Sequence, residues 1–141
     1  MERLLSQTSE YALRATAWLA SLSSEVPVPA RDLAKHSGVP SHYLSKILRR
    51  LVLAGILDSQ KGKAGGFTLA RPPHAITFKD VLLAVDAFPV AERCAFGWGA
   101  CDATSPCPLH GPWTAIGDEF REWADRTTFA ELGALSPRAG P

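Results

Sequence analysis

The sequence predicts a mainly α-helical chain with one small β-hairpin, on the strength of three observations. Apolar residues recur at helical spacing in several segments, and a glycine-rich loop separates two short strand-like segments. A length of 141 residues, with 46% hydrophobic and 21% charged residues, suits one compact unit. No apolar run approaches the roughly 20 residues that a membrane-spanning helix requires, and the first residues lack the pattern of a secretory signal. We therefore expect a cytoplasmic protein with no membrane partner.

Three helices are predicted in the first half of the chain. Apolar residues recur every three or four positions over residues 9–22 and again over residues 41–54, which indicates two amphipathic helices. A shorter helix over residues 30–36 follows Pro29 and ends before Gly38, so the turn into the third helix is tight. The residues expected to face the core are Tyr11, Ala15, Trp18, Leu19 and Leu22 in the first helix, and Leu44, Ile47, Leu48 and Leu51 in the third.

A hairpin is predicted directly after the third helix. Gly55 suits the left-handed position that ends a helix, and short strands follow over residues 56–60 and 67–70. The loop between them, residues 61–66, combines two lysines with three glycines. Helix, turn, helix and basic hairpin in this order are typical of a winged helix-turn-helix, which places its second helix in the major groove of DNA.

Charge is distributed unevenly along the chain. The overall net charge is only +1, but residues 28–71 carry +6, while residues 1–27 carry −1 and residues 72–141 carry −4. A concentrated basic segment is the kind of surface that replaces counterions along the phosphates of double-stranded DNA. The segment that is predicted to form the helix-turn-helix and the hairpin is therefore also the one suited to bind DNA.

The side of the third helix opposite its apolar stripe supplies the candidate DNA-binding residues. Residues in its early and middle turns are expected to reach base edges, namely His42, Ser45, Lys46 and Arg49. The residues expected to bind phosphates are Arg31, Tyr43, Arg50, Lys61 and Lys63. The alternative is that these cations only solvate an exposed helix face, as most surface cations do. The basic hairpin directly afterwards favours the DNA-binding interpretation.

The second half of the chain is predicted to hold two helices around an irregular loop. Thr77 and Asp80 form a capping box for a helix that continues through Ala87. A long helix is expected from Trp113 to about Arg126, and Thr128 with Glu131 caps a last short turn. The predicted organisation is a winged helix-turn-helix domain over residues 1–88, a cysteine-rich loop over 89–112, the long helix and terminal turn over 113–135, and a disordered tail over 136–141.

All three cysteines lie in the irregular loop. They are Cys94, Cys101 and Cys107, with His110 three residues further on. Disulfides are disfavoured because the count is odd and no export signal is present. A zinc site is an alternative, although its ligands usually occur as more closely spaced pairs. An iron–sulfur cluster suits widely spaced thiolates in a glycine- and proline-rich loop, and His110 can complete a Cys3His ligand set. A fourth alternative is that the thiols simply pack as small apolar groups.

The sequence resembles the IscR/NsrR family of winged-helix regulators, also called the Rrf family. The matching segments are SEYALRA, LAKHSGVPSHYLSKILRRLVLAGIL, KGKAGGFTLARP, ITFKDVLLAVD, the cysteine loop and TTFAEL. The resemblance implies a homodimer held by the long helix that follows the cysteine loop, which makes this the dimerisation helix. It also implies an iron–sulfur cluster near that interface that controls DNA binding.

The resemblance offers two candidates for the fourth cluster ligand. In the iron–sulfur-biogenesis branch of the family, the ligands are three cysteines and the histidine of a C-x-x-H motif. The matching motif in this sequence runs from Cys107 to His110. In the nitric-oxide-sensing branch, an acidic residue of the partner subunit is the fourth ligand, and the matching position in this sequence is Glu10. Both [2Fe-2S] and [4Fe-4S] clusters therefore remain open. The predicted function is a DNA-binding transcription regulator that senses redox state, nitric oxide or iron–sulfur status. The alternative is a direct thiol redox switch or zinc site on the same fold. An enzyme is not expected, because no thiolate is paired with a base in a pocket-like motif.

Overall fold

The computed structural model describes residues 4–22, 24–88, 94–98, 101 and 104–132. Within these ranges the chain forms five α-helices, a two-stranded antiparallel sheet and two short 3-10 helices, so the predicted mainly helical fold with a small β-hairpin is confirmed. The elements are α1 Gln7–Ser21, α2 Ala30–Ser37, α3 Ser41–Leu53, β1 Leu57–Gln60, β2 Gly66–Leu69, a 3-10 helix Pro73–Ala75, α4 Phe78–Ala84, α5 His110–Arg126 and a 3-10 helix Phe129–Leu132.

Helix α1 lies at the centre of the fold. It packs against α2, α3, α4 and the last 3-10 helix. Ala12 and Ala15 are fully buried, and such small side chains allow the neighbouring helices to approach closely. Trp18 and Leu22, at the far end of the predicted stripe, are only partly buried. The helix starts two residues earlier than predicted because the Ser6 side chain caps it, accepting a hydrogen bond from the Ser9 N–H at 3.1 Å.

Helix α3 presents its apolar stripe to the core as the sequence predicts. Its four stripe residues are between 0% and 3% exposed, namely Leu44, Ile47, Leu48 and Leu51. Gly38 ends α2 in the left-handed conformation, with φ of 70°, and so turns the chain sharply into α3. Burial of one face fixes the rotation of α3 about its axis. The opposite face is consequently held in solvent.

The hairpin is anchored to the chain segment before α2. Val28 pairs with Phe67 through two backbone hydrogen bonds of 3.0 and 2.9 Å, an isolated antiparallel β-bridge that the sequence did not indicate. Gly66 permits this approach, because a Cβ at that position would lie 2.3 Å from the Val28 carbonyl oxygen. A Cβ on Gly65 would similarly lie 2.2 Å from the Gln60 carbonyl oxygen. Gly65 and Gly66 are thus required by close backbone packing, whereas Gly62 has open space around it and adopts a positive φ of 102°.

Helix α4 ends earlier than predicted. The sequence extended it through Ala87, but its last helical residue is Ala84. Asp86 adopts a positive φ of 54°, and the Ala87 N–H donates to the Leu82 carbonyl at 2.9 Å, which closes the helix end. Aspartate tolerates the left-handed conformation better than most residues, and periodicity alone does not reveal such an end.

Helix α5 begins earlier than predicted. The sequence placed Pro112 in the loop, whereas α5 starts at His110. Proline is compatible with the first helical turn, since the N–H groups there have no partner within the helix. The predicted loop, residues 89–112, is described only at 94–98, 101 and 104–112, of which 110–112 belong to α5, and the predicted tail, residues 136–141, lies outside the described residues.

The C-terminal end of the described chain returns to the core. The Phe78 N–H donates to the Thr127 carbonyl at 3.0 Å, and the Phe129 N–H donates to the Ile76 carbonyl at 3.1 Å. Phe129 is fully buried, and its ring centre lies 4.9 Å from that of Phe78. These contacts hold the end of α5 beside the start of α4, so the two helices that flank the cysteine loop are fixed to one core.

We predict that removing the α4 cap destabilises the fold modestly. The Thr77 hydroxyl accepts from the Asp80 N–H, and the Asp80 carboxylate accepts from the Thr77 N–H, so the predicted capping box is confirmed. Thr77→Ala should lower the free energy of unfolding by about 1 kcal/mol, because the Asp80 N–H loses its acceptor. Urea denaturation at one protein concentration measures the change. Thr77→Ser, which keeps the hydroxyl, should lose less than half of that amount, and an equal loss would show that the cap is unimportant.

Candidate nucleic-acid interface and thiol cluster

The solvent-facing side of α3 carries the predicted base-contacting residues. His42, Ser45, Lys46 and Arg49 are all exposed, as the helical spacing required. The Ser45 hydroxyl donates to the Ser41 carbonyl at 3.2 Å within the helix. Because these side chains lie along one face and the opposite face is buried, a groove wide enough to accept α3 would meet all four together.

The predicted phosphate-binding residues surround this face. Tyr43 is 45% exposed, and its ring packs at 4.3 Å from the ring of His42. The loop lysines, Lys61 and Lys63, are exposed at the tip of the hairpin, and Arg31 is exposed in the first turn of α2. The structure brings the basic segment together as one region made of α2, α3 and the hairpin, but the lysines approach no described residue that would fix their direction.

The cations fall into two groups according to their ion pairs. Among described residues, cations beyond position 70 each have a carboxylate within 4.0 Å, namely Arg71 with Asp80, Lys79 with Asp125, Arg121 with Asp118, and Arg126 with Glu119. Before position 70, only Arg31 has such a partner, Asp32 at 4.0 Å, within the same described ranges. The positive charge of α3 and the hairpin is therefore not neutralised internally, which is the condition for attracting phosphates.

Arg50 connects α3 to the end of α4. Its side chain is exposed, but one guanidinium nitrogen donates to the Val85 carbonyl at 3.3 Å. Val85 is the residue that caps α4, and the cysteine loop begins a few residues later. The sequence predicted only a phosphate contact for Arg50. The structure adds a direct hydrogen bond between α3 and the chain segment that leads into the cysteine loop.

The three cysteines come together beside the start of α5. Their sulfur atoms lie within 4.8 Å of one another, although six residues separate Cys94 from Cys101 and five separate Cys101 from Cys107. The Cys94 and Cys107 sulfurs are 3.7 Å apart, and the Cys107 N–H donates to the Cys101 sulfur at 3.2 Å. All three are free thiols. Three convergent soft sulfur donors are a ligand set that could hold a thiophilic metal or an iron–sulfur cluster.

The two candidates for a fourth ligand differ in position. His110 is the first residue of α5, and its Nδ1 lies 3.2 Å from the Cys101 sulfur. Among the described residues, however, no histidine nitrogen lies within 4.8 Å of all three sulfurs. Glu10 lies in the first turn of α1 and is half-buried. Within one chain the structure therefore associates His110 with the thiols, at the edge of the group.

Hydrogen bonding and burial shift the pKa values of two of the thiols in opposite directions. The Phe96 backbone N–H donates to the Cys94 sulfur and lowers the pKa of that thiol below its ordinary value, against the opposing effect of burial. Burial raises the pKa of the Cys107 thiol, and the neighbouring Cys101 sulfur acts in the same direction. Cys94 is therefore the first of these two to become a thiolate, which is the form that ligates metals.

Some contacts were not evident from the sequence. The Trp18 and His36 rings stack in parallel with 4.8 Å between their centres, which agrees with a structural role for His36. Phe96 and Trp98, which follow the first cysteine, stack with 4.5 Å between their ring centres and are 45% and 75% exposed. None of the described helices is long and apolar enough to cross a membrane.

Comparison with known proteins identifies the family. A family model named Rrf2, described as an iron-dependent transcriptional regulator, matches residues 5–134. This chain belongs to the Rrf2 family of transcriptional regulators. The chain is 30% identical over 128 residues to the HTH-type transcriptional regulator IscR of Escherichia coli O1:K1, which covers 91% of this chain and 78% of that protein. The family consists of regulators that bind DNA, not of enzymes, and the resemblance seen in the sequence is confirmed.

Solved structures share the fold. The structure of CymR, the global cysteine regulator of B. subtilis, superposes with a TM-score of 0.77 at 25% identity, covering 96% of this chain and 99% of that one. An IscR from T. potens gives a TM-score of 0.75 at 23% identity, covering 100% of this chain and 95% of that one. The predicted winged-helix architecture is thus confirmed.

Proposed function

We propose that this regulator binds duplex DNA through α3 and the hairpin loop, and that an iron–sulfur cluster held by Cys94, Cys101 and Cys107 sets its affinity. One observation carries the proposal: three free thiols converge within 4.8 Å on a loop whose preceding helix is hydrogen-bonded to α3. The described chain thus combines a cluster-type donor set with a surface of unneutralised cations.

Two kinds of DNA contact follow from the positions of the side chains. Residues on the exposed face of α3 would read base edges in the major groove, with Lys46 and Arg49 able to donate to guanine. Lys61 and Lys63 at the hairpin tip would bind phosphates beside the groove. Base contacts contribute sequence specificity, whereas phosphate contacts contribute affinity for any sequence and its dependence on salt.

We predict that Lys46→Ala and Lys61→Ala have different effects on DNA binding. Lys46→Ala should weaken binding to an operator, selected from a random pool, by about 1–3 kcal/mol more than binding to a mixed-sequence duplex, because a base contact is lost. Lys61→Ala should weaken both equally and reduce the salt dependence by about 0.9 in log–log slope. Fluorescence anisotropy measures both. The assignment fails if Lys46→Ala weakens the two duplexes to the same extent.

The residues of the thiol site fit an iron–sulfur cluster in their chemistry. Cys94, Cys101 and Cys107 would be the protein ligands, and we propose His110 as the fourth, since its Nδ1 already lies beside the Cys101 sulfur. Glu10 of a partner subunit is the competing fourth ligand. The first turn of α5 begins at His110, so the positive end of a helix dipole lies next to the anionic thiolates. When bound, the cluster would supply iron that responds to oxidants and nitric oxide.

The cysteine loop is coupled to the DNA-facing helix through α4. The loop leaves α4 just after Val85, whose carbonyl accepts the Arg50 hydrogen bond. It enters α5 at His110, and α5 packs against α4. A change in the order of the thiol loop would therefore alter the position of Val85 and, through Arg50, the orientation of α3. Such a coupling amounts to about 1–3 kcal/mol in typical cases, or roughly a 5- to 150-fold change in affinity.

We predict that Cys107→Ser removes both the cluster and the regulation. Protein purified without oxygen should contain iron and sulfide and absorb visible light, whereas the variant should contain neither. The DNA affinity of the unaltered protein should change by about 5- to 150-fold when the cluster is removed, and that of the variant should not respond. Ser105→Ala, an exposed change in the same loop, is the matched control. If the variant retains the response, the cluster does not control DNA binding.

A second function for the thiols is supported by one distance. The Cys94 and Cys107 sulfurs are only 3.7 Å apart, so a modest movement would allow them to form a disulfide directly. A thiol redox switch on the same winged-helix fold would need no iron, and a zinc site would need no sulfide. Iron and sulfide analysis of anaerobically purified protein, together with a count of free thiols after oxidation, distinguishes these alternatives.

We further propose that the regulator is a homodimer held by α5. Helix α5 leaves Trp113 and Ile116 47% and 63% exposed, although both are large and apolar. Ile116 also lines an apolar cavity of about 630 Å³, together with Phe120 and Trp123 of α5 and with Leu4 and Leu5 from the segment before α1. A second copy of α5 would cover these groups and would place two α3 helices on successive half-sites of DNA.

We predict that Ile116→Glu converts the dimer to a monomer. A carboxylate at the centre of an apolar interface would have to be desolvated, so the association constant should fall by at least a hundredfold. Sedimentation velocity over a range of concentrations measures the change. Leu53→Glu introduces the same charge at another exposed apolar position, 77% exposed on α3, and should leave the dimer intact. An unaffected Ile116→Glu dimer would place the interface elsewhere.

A further inference from the structure

Arg14 is an exposed cation on α1 that the candidate DNA-binding surface does not include. Among the residues that the structure describes, no carboxylate lies within 4.0 Å of its guanidinium, in contrast to Arg71, Arg121 and Arg126. Its charge is thus as little neutralised as that of Lys46 or Arg49. An arginine in this state on a folded surface is available to an external anion.

The guanidinium of Arg14 is held beside the turn that leads into α3. Its Cζ lies 5.5 Å from the centre of the Tyr11 ring, a cation–π contact, and its Nη1 lies 3.9 Å from the position that a Cβ on Gly38 would occupy. Gly38 forms the turn between α2 and α3. Arg14 therefore reaches from α1 to the helix-turn-helix, although it is 24 residues away from Gly38 in the sequence.

A row of rings links this position to the first turn of α3. The Tyr11 hydroxyl accepts a hydrogen bond from the Gln7 side chain at 2.8 Å, and the Tyr11 ring packs at 5.8 Å from that of Tyr43. Tyr43 in turn packs against His42, one of the proposed base-reading residues. Arg14 thus lies at one end of a packed row whose other end is His42.

We propose that Arg14 binds a backbone phosphate of the DNA at the edge of the groove that receives α3. The proposal rests on the proposed function and adds a contact from α1 to those from α3 and the hairpin. When the first turn of a recognition helix lies in the major groove, the phosphates of one strand pass beside that turn and the turn before it. Stacking on Tyr11 orients the guanidinium in advance, so that less conformational freedom is lost on binding.

In an alternative role, Arg14 would make no contact with DNA. Arginine side chains often cover apolar or aromatic surface with their methylene groups and keep the charge in water, and Arg14 on the Tyr11 ring could serve the fold in this way alone. The two roles differ in one measurable quantity. A phosphate contact contributes to the dependence of DNA affinity on salt, whereas packing on Tyr11 contributes only to the stability of the protein.

Arg14→Gln and Lys79→Gln provide the test, because each removes one positive charge. Lys79 lies on α4, with its Nζ 3.7 Å from Asp125, and belongs to no part of the DNA-binding surface. Binding of a fluorescein-labelled mixed-sequence duplex is measured by anisotropy at several KCl concentrations. For Arg14→Gln the log–log slope should fall in magnitude by about 0.9, and for Arg14→Lys and Lys79→Gln it should stay near that of the unaltered protein.

Each outcome decides between the roles. An unchanged slope for Arg14→Gln, with DNA binding otherwise retained, overturns the phosphate contact and leaves the proposed function standing. Equal reductions in Arg14→Gln and Lys79→Gln also overturn it, because only overall charge would then matter. Failure of the unaltered protein to bind the duplex at low salt would refute the proposed function itself. Thermal unfolding of each variant, compared with the unaltered protein, excludes misfolded samples from the binding series.

Discussion

The proposed DNA binding depends above all on the positive charges around α3, which have no internal partners among the described residues. Within the described ranges, Lys46, Arg49, Lys61 and Lys63 have no carboxylate at ion-pair distance, whereas the cations of α4 and α5 are paired. A paired cation has little to gain from a phosphate, because it must give up one anion for another. The small overall charge of +1 thus conceals a surface on which the positive charge is available.

Packing of the core fixes the positions of these charges on the surface. Burial of the Leu44 to Leu51 stripe fixes the rotation of α3, and the Val28–Phe67 pairing ties the hairpin to the start of α2. The distance between the recognition face and the hairpin is therefore set by packed and hydrogen-bonded backbone. The thiol loop is attached to the same core at both ends, through α4 and α5. In the proposed coupling, a change in the thiol loop would be transmitted to α3 through the hydrogen bond between Arg50 and the Val85 carbonyl.

Periodicity and charge predict most of the fold and part of the candidate site. The stripes of α1 and α3 follow from helical spacing, and the α4 capping box from Thr77 and Asp80, because these signals are local. The β-bridge between Val28 and Phe67 joins residues far apart in the sequence, so no local sequence pattern predicts it. The predicted end of α4 and the predicted start of α5 were wrong because Asp86 and Pro112 are each compatible with both a helix end and a loop.

The functional residues show the same division. The exposure of His42, Ser45, Lys46 and Arg49 follows from the burial of the opposite face. The three cysteines are evident as candidates, but spacings of six and five residues do not reveal that their sulfurs meet, because the path of an irregular loop is set by nonlocal contacts. The Arg50–Val85 hydrogen bond and the position of Arg14 beside Gly38 join residues far apart in the chain, so only the structure shows them.

The most direct test of the central claim is the affinity of the anaerobically purified protein for duplex DNA as KCl is raised. It is measured on the cluster-loaded form and on the same sample after the metal is removed. We expect DNA to be bound at low ionic strength, its affinity to fall steeply with salt by about 0.9 in log–log slope for each phosphate contacted, and the two forms to differ in affinity. Absence of binding at low ionic strength in both forms would contradict this expectation.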